Sequence, residues 1–241
     1  MRAGWYLGGA AVAGIAAYTA GAQARGRMWD PAILRRGPAT GRPRIALTFD
    51  DGPHPQLTAA TLDILRAAAC PAAFFCIGEQ ALRHPELVRR ARDEGHLIGN
   101  HSMLHRHAWL LTPEATRREI AGGADALREV LSAPVAWMRP PWGAFNAATY
   151  VAARQAQQRI ALWSVAAPDW APGARAEAIL AAVLARAHPG AIVDLHDGGR
   201  DEAASAEMVA ALPALVAGLR ARGYDLVRMD HLGSGEGAAG L

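Results

Sequence analysis

Two adjacent carboxylates close the run Leu47-Thr48-Phe49-Asp50-Asp51-Gly52-Pro53, and about fifty residues later two imidazoles stand four positions apart in His101-Ser102-Met103-Leu104-His105. One carboxylate and two imidazoles make a three-ligand set for a divalent ion that leaves positions open for water and substrate. The second carboxylate is then free to take a proton. Metal-assisted hydrolysis is the chemistry such a set supports. Each half alone is weak, since HxxxH pairs are common on surfaces and Asp-Asp-Gly-Pro is ordinary turn sequence; the combination carries the reading. On a helical turn His101 and His105 would share a face. Asp51 is the natural third ligand, and Asp50, pointing the other way, the natural base. An Asp/His/His set suits Zn²⁺ best, with Co²⁺, Ni²⁺ or Mn²⁺ also acceptable.

Alternating elements must position these groups. Strands are expected over Arg44–Phe49, Ala72–Ile77, His96–Gly99, Val135–Met138, Arg159–Val165, Ala191–Leu195 and Tyr224–Val227. Between them fall helices over Leu57–Ala69, Pro85–Glu94, Asn146–Gln157, Ala174–Ala187 and Ala203–Arg222, with a long helix opened by Thr112-Pro113 as N-cap and first residue. Strict alternation implies a mainly parallel sheet, hence an α/β fold. Polar residues recur just past strand ends: Asp50-Asp51, His101, Arg139, Asp169 and His196. A barrel with its site at the C-terminal ends of the strands has this signature.

The 241 residues suffice for one domain with a substantial core. No lysine occurs, so all 25 basic side chains are arginine, and lysine Schiff-base or P-loop chemistry is excluded. The net charge of +3 is small and the arginines are scattered, with no basic stripe or module for nucleic acid. Cys70 and Cys76 are separated by an extended run too long for a disulfide and read as buried small hydrophobes. Arg2 precedes an uncharged Ala/Gly-rich run to Ala24, ending in Ala22-Gln23-Ala24. Residues 1–24 therefore read as a signal peptide or N-terminal membrane anchor, which implies export to the cell envelope or beyond. Residues 25–42 read as a linker, 43–232 as the catalytic domain and 233–241 as a flexible Gly-rich tail. Trp142 and Trp170, on loops after strands, suit stacking against sugar rings. Trp109, Trp137 and Trp163 read as core; His54 is a cleft candidate and His107 a neighbour of the site.

From residue 43 to 232 the chain resembles the polysaccharide deacetylases, carbohydrate esterases that include chitin, chitooligosaccharide and peptidoglycan N-deacetylases. Five motifs carry the resemblance in order: Thr48-Phe49-Asp50-Asp51, His101-Ser102-Met103-Leu104-His105, Arg139-Pro140-Pro141-Trp142-Gly143, Asp169-Trp170 and Leu195-His196-Asp197. The resemblance implies a distorted (β/α) barrel and hydrolysis of N-acetyl groups on amino sugars in a glycan, with one divalent metal. It makes Asp50 the general base, Asp51, His101 and His105 the metal ligands, and His196 the general acid. Arg139 would pair with Asp50 and Asp169 with His196, Trp170 would wall the acetyl pocket, and the metal with a backbone N–H near Trp142 would hold the oxyanion. Two positions depart from the family pattern. Asp194 stands where an apolar residue, often Leu, meets the acetyl methyl, so either Leu195 or another side chain fills that pocket or the acyl preference differs. Ala166 stands where a further acid is common. A glycan-binding protein with the same fold and reduced turnover is the alternative from another class. A metal-dependent phosphoesterase, suggested by Gly99-Asn100-His101, lacks the further carboxylates that chemistry needs.

Overall fold

The computed structural model describes residues 16–199 and 201–233. Eight strands, β1 (Arg44–Asp50), β2 (Ala73–Cys76), β3 (Leu97–Asn100), β4 (Trp137–Met138), β5 (Arg159–Ile160), β6 (Val165–Ala166), β7 (Ile192–His196) and β8 (Asp225–Leu226), pair in parallel throughout. The path runs β5-β4-β3-β2-β1-β7-β6, with β8 beside the start of β1. Helices α1 (Leu57–Ala67), α2 (Gly78–Arg83), α3 (Pro85–Asp93), α4 (Pro113–Leu131), α5 (Ala147–Gln155), α6 (Ala176–Arg186) and α7 (Glu202–Ala221) surround this sheet, making the expected distorted α/β barrel.

The strand expected over 159–165 divides in two. Its first half joins β4 and its second half joins β7, so β5 and β6 lie at opposite edges of the sheet. Residues 161–164 cross the opening between them: Leu162 N–H donates to the Leu34 carbonyl, whereas Ser164 N–H donates to Ile192. The barrel is thus closed by chain connectivity where a hydrogen-bond ladder is missing, and Trp163 sits on the crossing.

Side-chain alternation along β1 and β7 sorts chemistry from core. Ile45, Leu47 and Phe49, with Val193 and Leu195, point outward into one apolar layer with Leu62 and Leu65 of α1 and the buried face of α7. Ala46 and Ile192 point inward and, with Phe75, Trp137 and Met229, plug the lower barrel. The next inward positions up the same strands are Thr48, Asp50, Asp194 and His196. Register aligns Thr48 with Asp194 and Asp50 with His196. The barrel interior therefore turns from apolar to charged along its axis.

The helix starts follow their capping chemistry. Thr112 accepts from Ala115 N–H ahead of Pro113 at the start of α4, and Asn146 and Thr149 form a reciprocal capping box at α5. Residues 17–29 are helical across Ala17–Gly21, Ala22–Ala24 and Arg25–Trp29; Ala22 from this run and Ile33 just beyond it pack into a cluster with Phe145, Ile160 and Leu162. The start of the expected leader and nearly all of the expected tail, residues 1–15 and 234–241, lie outside the described residues. Cys70 and Cys76 are free and buried.

Candidate functional site

At the C-terminal ends of the strands lies an open cleft of about 1100 Å³, lined by Asp50, Asp51, His101, His105, Asp194 and His196 among others. Asp51 follows β1 with φ 73°, and His105 has φ 52°. Residues 101–107 form an irregular loop, not the helical turn expected for the histidine pair. Side chains replace the helix in holding it. Ser102 N–H donates to Asn100 Oδ1, His105 N–H to Ser102 Oγ, and Leu104 N–H to the buried Glu119. Positive φ at Ser102 and His105 then turns both rings to one point.

At that point Asp51 Oδ1 lies 3.4 Å from His101 Nε2 and 3.0 Å from His105 Nε2. The three ligand atoms fall within 4.8 Å of one another. Asp51 Oδ1 is buried, yet its alignment with neither ring makes a hydrogen bond. A buried carboxylate oxygen facing two imidazole nitrogens without a proton between them fits a divalent cation. His101 supports the fit: its Nδ1 lies 2.8 Å from the Arg139 carbonyl, which can only accept. Nδ1 therefore carries the proton and Nε2 turns its lone pair to the cluster, the usual outer-shell arrangement of a metal-ligating histidine. Burial pushes Asp51 up, but the two adjoining imidazoles, His101 and His105, outweigh it and hold the carboxyl well below the usual range.

Beside this set stands a wholly buried arginine. Arg139 Nη1 donates to Asp50 Oδ1 at 2.7 Å, Asp194 Oδ1 at 2.8 Å and Thr48 Oγ1 at 2.9 Å, and its guanidinium lies 4.2 Å from the centre of the Phe75 ring. Asp50 Oδ2 lies 3.7 Å from His101 Nε2, so Asp50 bridges the arginine and the metal set. Asp194 shares the same guanidinium; burial and then the Asp50 charge push it up to about 7 against the pull of Arg139. Asp50, Asp194 and His196 also come close enough to suggest a second cation site. Arg139 already supplies the positive charge there.

On the opposite flank, His196 Nδ1 lies 3.0 Å from Asp169 Oδ1, and His196 N–H donates to Asp169 Oδ2 at 2.7 Å. Asp169 is wholly buried. Burial disfavours the imidazolium, but the Asp169 hydrogen bond and charge overcome it and raise His196 to about 10. With Nδ1 engaged, Nε2 is the ring nitrogen left for a ligand.

The structure thus brings Asp50, Asp51, His101, His105, Arg139, Asp169 and His196 together. Trp142 and Trp170 line the cleft and are 48% and 63% exposed. Trp142 adopts φ 56° and packs its ring 4.2 Å from His105 and 5.2 Å from His107. Leu195 is corrected: strand alternation sends it outward into the core, so it cannot fill an acyl pocket. Trp109 is half exposed, not core, whereas Trp137 is buried as expected. His54 is not among the residues that line the cleft; its Nδ1 accepts from Leu57 N–H just ahead of α1.

Sequence reasoning missed Thr48 and Trp163. Thr48 lies two before Asp50 on the same strand, and the period of two was signal enough to place it beside that carboxylate. Trp163 lines the cleft because of the crossing between β5 and β6, which no local pattern marks.

Comparison with known proteins bears on what this geometry does. A family model described as polysaccharide deacetylase matches residues 37–161. A peptidoglycan-N-acetylglucosamine deacetylase of Bacillus cereus is 39% identical over 191 residues, covering 78% of this chain and 87% of its own. A chitooligosaccharide deacetylase of Rhizobium leguminosarum bv. trifolii is 39% identical over 191 residues, covering 76% and 88%. Among solved structures, a peptidoglycan N-acetylglucosamine deacetylase in complex with 4-naphthalen-1-yl-N-oxidanyl-benzamide superposes with a TM-score of 0.78 at 30% identity, covering 84% of this chain and 92% of that one.

Proposed function

The chain belongs to the polysaccharide deacetylase family, and from that premise we propose that it hydrolyses the N-acetyl amide of amino sugars in a glycan, releasing acetate. The observation that carries this reading is the placement of Asp50 and His196 at register-paired positions of β1 and β7, beside the Asp51/His101/His105 set. Asp51, His101 and His105 would hold a divalent ion, zinc being the first choice for two imidazoles and a carboxylate, which would supply Lewis acidity toward the acyl carbonyl and water. Asp50 takes the proton of the attacking water, its Oδ1 fixed by Arg139. His196, protonated well above neutrality, gives a proton to the departing amine nitrogen, and Asp169 fixes its ring. Trp142 and Trp170 offer ring faces for sugars on the rim of the cleft.

The substrate class follows from the relatives, which act on peptidoglycan and chitooligosaccharides. Peptidoglycan is a cell-envelope polymer, so that substrate would suit an exported enzyme carrying a signal or anchor at residues 1–24. Acetate release from chitooligosaccharides, peptidoglycan and poly-N-acetylglucosamine, before and after chelation and metal return, tests the reading. Acetate from at least one substrate, lost on chelation and restored by metal, is the expected result; no acetate from any would sink it. Asp194 favours a second reading, since a buried carboxylate is an unusual wall for a methyl group. Either the acyl preference is altered or the site retains glycan with little turnover. Glycan affinity without acetate release would support the latter.

A further inference from the structure

The helical segment that precedes β1 reaches into the site from outside the barrel. Gln23 Nε2 donates to the Gly143 carbonyl at 3.1 Å, and Phe145 N–H donates to Gln23 Oε1 at 2.7 Å. Arg27 Nη2 donates to the Trp142 carbonyl at 2.8 Å, with its guanidinium 4.9 Å from the centre of the Trp163 ring. Three backbone groups within four residues are therefore partnered by two side chains of this segment. The loop they hold carries Trp142 in the left-handed region, where a bulky residue persists only if its surroundings over-determine it. Trp142 in turn packs against the metal-set residue His105.

The approach is close by construction. A Cβ at Gly26 would come within 2.7 Å of Phe145 Cδ2 and Tyr150 Oη, and a Cβ at Gly143 within 2.5 Å of Arg27 Nη2. Tyr150 Oη donates to the Ala22 carbonyl at 2.8 Å, while its ring stacks on Phe145 with centroids 5.3 Å apart, so Tyr150→Phe removes the tie to Ala22 and keeps the ring against the loop. We propose that Gln23 and Arg27 are positioning residues of the deacetylase site, clamping the Trp142 loop so that its ring and backbone meet the glycan. The segment expected to be leader and linker is then part of the working enzyme. Processing after Ala24 would remove Gln23 from the clamp and leave Arg27.

The inference rests on the deacetylase reading, and the test separates the two. Gln23→Ala/Arg27→Ala, Gly26→Val and, as control, Tyr150→Phe are made in the full chain. KM and kcat for an N-acetylglucosamine tetramer, thermal midpoint, and amide hydrogen exchange over 142–145 are measured. The double variant is expected to raise KM about tenfold with kcat changed less, and to speed exchange at Phe145 at nearly unchanged thermal midpoint. Gly26→Val should reproduce this by displacing the segment, and Tyr150→Phe should not. Arg27→Lys in the Gln23 wild-type background should recover part of the loss shown by Arg27→Ala, because one donor to the Trp142 carbonyl remains. Unchanged KM in the double variant, or an equal effect from Tyr150→Phe, overturns the clamp. If the wild type releases no acetate from any glycan, the deacetylase reading falls, and tetramer affinity replaces KM in judging the clamp.

Discussion

The two flanks of the site use one device in opposite senses. On β1, Asp50 is held at 2.7 Å by Arg139; on β7, at the paired position, His196 is held at 3.0 Å by Asp169. Each flank is a carboxylate bound to a nitrogen cation, and in each the supporting member is wholly buried while the reacting member lines the cleft. What differs is which member reaches the cleft. Arg139 cannot give up a proton, so Asp50 stands as an acceptor. Asp169 is a carboxylate, so it keeps the imidazole beside it charged and His196 stands as a donor. The buried partner sets the direction in which protons move.

Removing the acceptor breaks this opposition most completely. Asp50→Asn keeps the shape and an oxygen for Arg139 but cannot take a proton. We expect kcat for acetate release to fall by about 10³-fold, the middle of the range for general acid–base groups. Metal binding by calorimetry should survive, since Asp51, His101 and His105 are untouched. A loss of less than tenfold would remove Asp50 as the base.

The donor flank is sharpened by pH. His196 lies at about 10 in the folded protein. A donor works while protonated, so the rate should hold through neutral pH and fall only as pH rises through that value. In Asp169→Asn the ring returns toward an ordinary imidazole near about 6.5, and the falling limb should move down by pH units. The displacement between the two profiles is the measurement. At pH 7 an imidazole near about 6.5 is still about one quarter protonated, so the variant is expected to lose at least about fourfold in rate, and more as the ring loses its orientation. Coincident alkaline limbs would show that Asp169 does not set the donor. The same shift stabilises the fold: the contribution is complete below about pH 6.5 and fades as pH climbs to about 10.

How much of this was legible beforehand depends on the range over which each feature is decided. Asp50-Asp51, the His101/His105 pair and His196 sit at strand ends, and alternation of apolar runs with helical periods places strand ends well. The α/β barrel followed from the same pattern. The division of 159–165 into β5 and β6 did not, because which neighbour a strand joins is settled by the whole sheet. The loop form of 101–107 escaped for a related reason. HxxxH is compatible with a helix, and Asn100, Ser102 and the distant Glu119 help hold it open. Leu195 was misplaced although the period of two along β7 argued against it. The docked segment before β1 was illegible, since small residues and arginines read alike in a linker and in a close-packed helix.

Asp194 tests whether the base flank tolerates a second carboxylate on its arginine. Because burial and the Asp50 charge push it up to about 7, the folded protein holds a proton there that the unfolded chain has released. Its contribution to stability is therefore present at low pH and declines as pH rises from about 4 to 7. Asp194→Asn keeps an oxygen for Arg139 and does not titrate, so its stability measured by denaturant should lose that slope, with activity within about threefold. Asp194→Leu should cost more, because Arg139 Nη1 loses one acceptor in a dry interior. Equal stability of the Asn and Leu variants would show that the Asp194–Arg139 contact is dispensable.

The smallest effect is expected at the rim, where the two flanks differ in support. Trp142 leans on His105 and His107, and its loop is bonded from the N-terminal segment; Trp170, more exposed, has no ring contact among the described residues. A ring with so little behind it can contribute stacking on a sugar but cannot orient the reacting groups. Trp170→Ala should therefore raise KM for a tetrasaccharide about fivefold, equivalent to about 1 kcal/mol of stacking, with kcat unchanged. Trp142→Ala removes the ring that packs against His105, so its effect should extend to metal affinity as well as to KM. If Trp170→Ala lowers kcat as much as Trp142→Ala does, the acid flank extends to its rim, and Trp170 takes part in orienting the bond that breaks.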